Sequence, residues 1–249
     1  MIIYGINPVL EALRAGRVES IRVSQRGDAR LGAILDAARQ AGVAITRVET
    51  HELDRASRGG VHQGVVALVQ EQASLSPEDL VTSSTGSTGS TGAPLIVVLD
   101  GIEDPHNVGA ILRTVDAAGA SGVVRQERHA APLGGATAKA SAGAVSYVRI
   151  ADVVNIARAL EALKEAGVWT VGLAGDAAKR YDELDYTLPT AFVVGAEGAG
   201  LRRLVRDRCD WLVSIPMQGH VQSLNVSVAT GIVLFEAVRQ RRNRPGSAA

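Results

Sequence analysis

The sequence predicts an α/β protein: a parallel sheet covered by helices, preceded by a smaller α/β domain. Three observations predict it. Continuous apolar runs, LIVVLD (95–100), VWTVGLA (168–174) and AFVVGA (191–196), each lie between segments of helical period. A strand that is apolar on both faces belongs in a sheet covered on both sides, which is the parallel arrangement. The first 75 residues alternate strand and helix patterns on a smaller scale. Between the two lies SSTGSTGSTG (83–92), a repeat with no apolar face to bury, expected to be a flexible linker that lets the two halves move. The division expected is 1–75 for the small domain, 76–93 for the linker, 94–243 for the large domain and 244–249 for a tail.

In chain order, Asn7-Pro8 reads as a helix start, with Asn at the N-cap and Pro at the first helical position. Val9, Leu10 and Leu13 share one side of that helix, which stops near Gly16. SIRVS (20–24) alternates as a strand. Leu31, Ile34, Leu35 and Ala38 follow a helical period that ends at Gly42. VAITRVE (43–49) is a second strand, Thr50 can cap a short helix containing Leu53, and GVVALVQ (64–70) is a third strand. In the large domain, LIVVLD runs through the loop GIEDPHN into a helix from about Val108 to Ala118. The other two apolar strands follow, then LVSIP (212–216) as a fourth. NVSVATGIVLFEAVRQRR closes the domain as an amphipathic helix whose basic end suits the helix dipole.

Composition narrows the function classes. A chain 46% hydrophobic and 21% charged has the balance of a soluble globular protein. No apolar run reaches bilayer length, and MIIYGINPVLEAL lacks the basic start and cleavage site of a secretory signal, so a cytoplasmic protein is expected. The single cysteine, Cys209, excludes an intrachain disulfide framework and a cysteine-based zinc site, and its place before a strand favours packing. The 26 basic and 26 acidic residues cancel, which argues against coating nucleic acid by bulk charge but permits a local basic groove. Aromatic residues, 3% of the chain, are too few for a platform of stacked bases.

Three segments of the large domain concentrate polar residues at strand ends, where α/β folds bind ligands. In DGIEDPHNVGAILRT (100–114), Asn107 stands at the helix start and Arg113 about two turns in; the free N–H groups of such a helix start suit an anion. The plainer reading is an N-cap and a solvated arginine. In VVGAEGAGL (193–201), Gly195, Gly198 and Gly200 surround Glu197 after a buried strand. The spacing is neither the GxGxxG of a dinucleotide site nor a phosphate loop, which weighs against a nucleotide-dependent oxidoreductase. A tight turn with an exposed glutamate is the alternative. In IPMQGHVQSLNVSVATGI (215–232), Ser223 and Asn225 sit in an apolar setting and either cap the last helix or serve a site. His220, in the loop before them, has no visible partner in the sequence and reads as incidental.

Taken together, NVGAILRT, GAEGAGL and IPMQGHVQSLNVSVATGIVLFE, in this order and spacing, resemble the SpoU/TrmH branch of the SPOUT superfamily of RNA methyltransferases. YGINPVLEAL and HQGVVALV (62–69) resemble the small substrate domain, similar to ribosomal protein L30e, of the subgroup that methylates a guanosine ribose in bacterial 23S rRNA. The resemblance implies a parallel sheet with a C-terminal trefoil knot, S-adenosylmethionine as cofactor, and a homodimer with its site at the subunit interface. It implies that Asn107, Arg113, Glu197, Ser223 and Asn225 are the catalytic polar residues. Gly195, Gly200, Ile215, Met217 and Leu224 would hold the cofactor, largely through backbone. The methyl donor is already activated by its sulfonium, so neither a metal nor a membrane is expected as a partner. RNA, either 23S rRNA or a large-subunit precursor, is the implied substrate, with Arg113 foremost for rate. In the small domain, Asn7, Arg22, Arg26, Arg58 and His62 are the candidate RNA contacts. The same chemistry on transfer RNA, or an RNA-binding assembly factor without activity, are the competing readings. Gly134-Gly135 departs from the family pattern and suggests a looser loop there.

Overall fold

A computed structural model describes residues 1–25, 29–70, 73–82 and 92–243. Arg26, nearly all of the STG repeat and the tail 244–249 lie outside the described residues. The elements in chain order are β1 (Ile2–Tyr4), α1 (Ile6–Arg14), β2 (Val18–Ser24), α2 (Gly32–Gln40), β3 (Ala44–Val48), α3 (Thr50–Ala56) and β4 (Val65–Val69). After these come α4 (Pro77–Thr82), β5 (Leu95–Asp100), α5 (Pro105–Ala117), β6 (Gly122–Gln126), α6 (Gly135–Ala140) and β7 (Ile150–Val153). The chain continues as α7 (Ile156–Glu165), β8 (Trp169–Leu173), β9 (Lys179–Arg180), β10 (Thr190–Gly195), α8 (Arg203–Arg208), β11 (Trp211–Ser214) and α9 (Val226–Arg242).

The chain divides into two compact units, and the first is not simply the N-terminal domain. It joins Met1–Ala73 to Pro105–Arg113 and Ala131–Tyr147. Its sheet has the order β1-β4-β2-β3, with β2 and β3 parallel and the other pairs antiparallel. β1 was not legible in the sequence, because three residues are too few to show alternation. Helix α1 starts one residue before Asn7: Gly5 is the N-cap, and the Oε1 of Gln63 accepts the Ile6 N–H at 3.1 Å. The expected Asn7 cap is therefore replaced by a side chain from 57 residues away. Similarly, Thr50 is the first residue of α3 and the N-cap is Glu49. The looser loop expected at Gly134-Gly135 is overturned. A Cβ on Gly134 would lie 2.6 Å from the Ile2 carbonyl oxygen, so Gly134 is where two backbones pack tightly. Tyr147 Oη donates to the Glu11 carboxylate at 2.8 Å, and Arg17 donates to the Ser146 carbonyl at 3.2 Å, tying Ala131–Tyr147 to α1 and its flank.

The second unit is built on a seven-stranded sheet of order β7-β6-β5-β10-β8-β11-β9, parallel at every pairing. Every residue of β5 is buried, as its unbroken apolar run requires. One face of the sheet packs Ile96, Val98, Val124 and Val193 against Leu160 and Leu163 of α7 and Leu80 of α4. Leu80 is fully buried, so residues 77–82, expected within the linker, form a helix that belongs to this core. Three strands were missed from the sequence. β6 and β7 carry Arg125 and Asp152, which interrupt the apolar runs but pair with each other at 2.7 Å in register across the two strands. β9 is a two-residue edge strand. Helix α9 buries Val226, Val233, Leu234 and Ala237 yet leaves Val228 and Phe235 about half exposed. It is therefore apolar on two faces, not amphipathic as expected. No helix among the described residues is long and apolar enough to cross a membrane.

Candidate active site

Parallel strands deliver their C-terminal ends to one edge of a sheet, and the loops leaving those ends form the natural ligand cleft. Here the chain leaving β8 (Leu173–Gly175), β10 (Gly195–Gly200) and β11 (Ile215–Asn225) encloses a cleft of about 1280 Å³. That exceeds the usual range for small-molecule sites, about 300–1,000 Å³, and leaves room for part of a second molecule beside a nucleoside-sized ligand. Gly195, Glu197, Gly200, Ile215, Met217, Ser223, Leu224 and Asn225 all line it. His220 lines it too, exposed and without a hydrogen-bond partner among the described residues.

The loop after β10 is folded tightly on itself. The Gly200 N–H donates to the Ala196 carbonyl at 2.8 Å, closing a one-bridge turn. A Cβ on Gly195 would lie 2.2 Å from the Gly200 carbonyl, so no other residue fits there. Glu197 is carried outward at the tip of this turn, and its Oε1 accepts from Asn225 Nδ2 at 2.7 Å. Asn225 is engaged through both ends of its side-chain amide. Its Oδ1 caps α9 by accepting from Ser227 N at 2.9 Å, while its amide N–H₂ tethers Glu197.

The cleft suits an adenosyl cofactor. Gly175, Gly198, Gly200 and Gly219 have only open space where a side chain would stand, so main-chain N–H and C=O groups meet a ligand directly. Leu173, Val194, Ile215, Leu224 and Val226 supply apolar wall for a base. That mixture, backbone polar groups on an apolar lining, is the usual chemistry of a nucleoside pocket.

Asn107 and Arg113 lie on α5 in the other compact unit. Asn107 is buried, 6% exposed. It is not the N-cap: the helix begins at Pro105, a residue suited to the first helical position. Arg113 is exposed and makes no hydrogen bond or ion pair among the described residues. A cation left unpaired in that way is free to take a phosphate. Gly109, between them, is pressed on α6: a Cβ there would lie 2.4 Å from Ala140 Cβ.

Two residues of this neighbourhood were missed. Asp100, at the end of β5, has a fully buried carboxylate that accepts from Arg202 N at 2.8 Å and Arg202 Nε at 2.7 Å. The signal was present, an acidic residue ending an otherwise apolar strand, but its partner lies 102 residues away. Cys209 packs against the core, donating to the Val205 carbonyl, and burial pushes its thiol up to about 12, which disqualifies it as a nucleophile. In the small domain, His62 is committed internally. Its Nδ1 accepts from Gly64 N at 3.0 Å and its Nε2 faces Asp54 Oδ1 at 3.0 Å, so it shapes the Gln63-Gly64 turn. Asn7, Arg22 and Arg58 remain exposed, with no side-chain partner among the described residues.

Residues 94–235 match the SpoU rRNA methylase family, and residues 2–74 match the family of RNA 2′-O ribose methyltransferase substrate-binding domains. The chain belongs to the SpoU rRNA methylase family. Among SpoU relatives, the 23S rRNA (guanosine-2′-O-)-methyltransferase RlmB of Photobacterium profundum is 44% identical over 244 residues, spanning 97% of this chain and 98% of that protein. The SpoU methyltransferase AviRb from Streptomyces viridochromogenes, solved with AdoMet, superposes with a TM-score of 0.79 at 27% identity, covering 98% of this chain and 91% of that one. The TrmH/SpoU tRNA modifying enzyme of A. aeolicus is 35% identical with a TM-score of 0.54, but covers only 62% of this chain and 81% of its own.

Proposed function

We propose that the protein transfers a methyl group from S-adenosylmethionine to the 2′-hydroxyl of a guanosine ribose in 23S rRNA, acting in the cytoplasm. The observation that carries this reading is the cleft at the sheet's C-terminal edge, where three separate glycine-containing loops present backbone to one ligand and Glu197 and Asn225 meet beside it. Bound there, S-adenosylmethionine supplies a methyl already activated on a sulfonium. The protein's share is alignment and proton management. Gly195, Gly200, Ile215, Met217 and Leu224 hold the cofactor. Arg113 orients the ribose hydroxyl and its neighbouring phosphate; a guanidinium stays protonated and so acts as donor and charge, not as base. The hydroxyl proton passes to that phosphate, or to solvent water late in the transfer. Glu197, tied to Asn225, positions substrate, with Ser223 and Asn107 completing the polar set.

The same reading extends to architecture. The C-terminal segment is threaded as a trefoil knot, and the N-terminal domain is an L30e-like module that holds RNA through Asn7, Arg22 and Arg58. Two subunits pair so that each site is completed at their interface. The half-exposed Val228 and Phe235, two turns apart on one face of α9, and exposed Val221 in the cleft loop support that pairing. Transfer RNA is the second reading, and the substrate domain at 2–74 favours rRNA over it, since the tRNA modifying enzyme above leaves over a third of this chain unmatched. The test is calorimetric binding of S-adenosylmethionine, followed by methyl transfer to unmodified 23S rRNA and to unmodified tRNA. Binding with transfer to rRNA supports the reading. Transfer to tRNA alone moves the substrate, and no binding at all leaves an assembly factor.

A further inference from the structure

The strand-end carboxylate Asp100 and the first residue after the glycine turn, Arg202, form a contact that the proposed chemistry does not require directly. Asp100 stands opposite Gly195 in the β5–β10 register, so it sits at the root of the turn that carries Glu197. Its carboxylate is fully buried and accepts two hydrogen bonds from one residue, from the Arg202 main-chain N–H on Oδ2 and from Nε on Oδ1, with Nη2 in ion-pair contact with Oδ1. The chain between Gly195 and Arg202 has few other restraints. Ala196–Gly200 is a single bridge, and Leu201 is anchored only by packing against the core beside Gly172 and Cys209. Glu197, Gly198, Ala199 and Gly200 are all exposed.

The Asp100 carboxylate is buried but the Arg202 side chain is about half exposed, so solvent screens the pair and it is a poor source of net stability. What it supplies is geometry: an arginine bonded through both its main-chain N–H and its Nε to one fixed carboxylate holds its main chain close to one placement. We propose that Asp100 and Arg202 are positioning residues for cofactor binding, a latch that holds the Gly195–Leu201 turn in the shape that receives S-adenosylmethionine. The latch acts at the root of the turn, while Asn225 holds Glu197 at its tip. Released at its root, the turn samples several shapes, and cofactor affinity falls by the fraction of time spent in the competent one. This inference rests on the reading of the cleft as the S-adenosylmethionine site.

The test compares wild type with Arg202→Ala, Arg202→Lys and Asp100→Asn, measuring S-adenosylmethionine Kd by calorimetry, KM for each substrate, kcat and Tm. For Arg202→Ala the expected result is cofactor binding weakened about tenfold, the scale of 1.4 kcal/mol, with KM for RNA within about twofold of wild type. Arg202→Lys, which keeps the charge but loses the planar group, should fall between the two. Asp100→Asn should behave like Arg202→Ala, and the double variant should be no worse than either single one. Cofactor affinity unchanged in all variants overturns the proposal. So does a fall in Tm with both KM values rising together, the mark of a merely structural pair. If wild type itself binds no S-adenosylmethionine, it is the reading of the cleft that fails, and the latch falls with it.

Discussion

At the scale of single residues, the proposed catalytic residues divide into groups that the fold fixes firmly and one that it leaves free. Asn225 is fixed: one amide caps α9 and tethers Glu197. Replacing it with alanine should cost about 1 kcal/mol as a lost N-cap, visible as a lower Tm. It should also slow methyl transfer by more than that loss of folded protein explains. Equal effects on stability and rate would reduce Asn225 to a cap. Arg113 is the opposite case, exposed and without a partner among the described residues. Removing it should therefore leave the fold intact. Arg113→Ala is expected to lower kcat by about 100-fold, the scale of a misplaced reacting group, while S-adenosylmethionine binds within about twofold of wild type. A folded, cofactor-binding Arg113→Ala protein with near wild-type turnover would remove Arg113 from the mechanism.

At the scale of elements, the sequence was most legible where one physical demand dominated. LIVVLD and AFVVGA read as buried strands because every residue faces packing, and they lie side by side in the sheet. The turn after AFVVGA was legible as a tight turn with an exposed glutamate, and its reading as a site came from the family resemblance, not from its glycines alone. β6 and β7 were missed because their charges, Arg125 and Asp152, satisfy each other across strands that are far apart in sequence. The same long reach hid the Asp100–Arg202 contact and gave Asn7 a capping role that belongs to Gly5 and Gln63. The Gly134-Gly135 pair was misread because glycine in a sequence suggests freedom. Only the structure reveals the Ile2 carbonyl that excludes any side chain at Gly134. Helix α9 differs again: its second apolar face is surplus to the core of one chain and is the face assigned to the proposed pairing. Phe235→Asp places a charge on that face without touching the core. It is expected to convert a dimer to monomer in light scattering and to abolish methyl transfer; a fully active dimer would mean that pairing uses another surface.

At the scale of the molecule, the compact units cut across the division expected from the sequence. The N-terminal domain groups with Pro105–Arg113 and Ala131–Tyr147, so the residues proposed to hold RNA and the arginine proposed to orient the ribose share one body. The other body carries the cleft proposed for the cofactor and a carboxylate that ties its stability to pH. Asp210 is partly buried, which alone would raise its pKa, but Lys164 and Thr170 outweigh that and hold it below its ordinary 3.8. A carboxylate with a depressed folded pKa contributes stability that is complete above the ordinary value and is lost as pH falls through the folded one. Acid unfolding should therefore steepen below about pH 4, and Asp210→Asn should flatten that limb while lowering Tm at neutral pH. An unchanged acid limb would assign acid sensitivity to other carboxylates.

If the protein methylates one ribose of 23S rRNA, the position of the methyl group on the RNA is the decisive readout. Purified protein, S-adenosylmethionine carrying a labelled methyl group and unmodified 23S rRNA are combined, and the product is digested and resolved by nucleoside and position. Label in a single 2′-O-methylguanosine is the expected result. Label on a base, spread over many nucleotides, or absent from rRNA while the protein binds S-adenosylmethionine would contradict it.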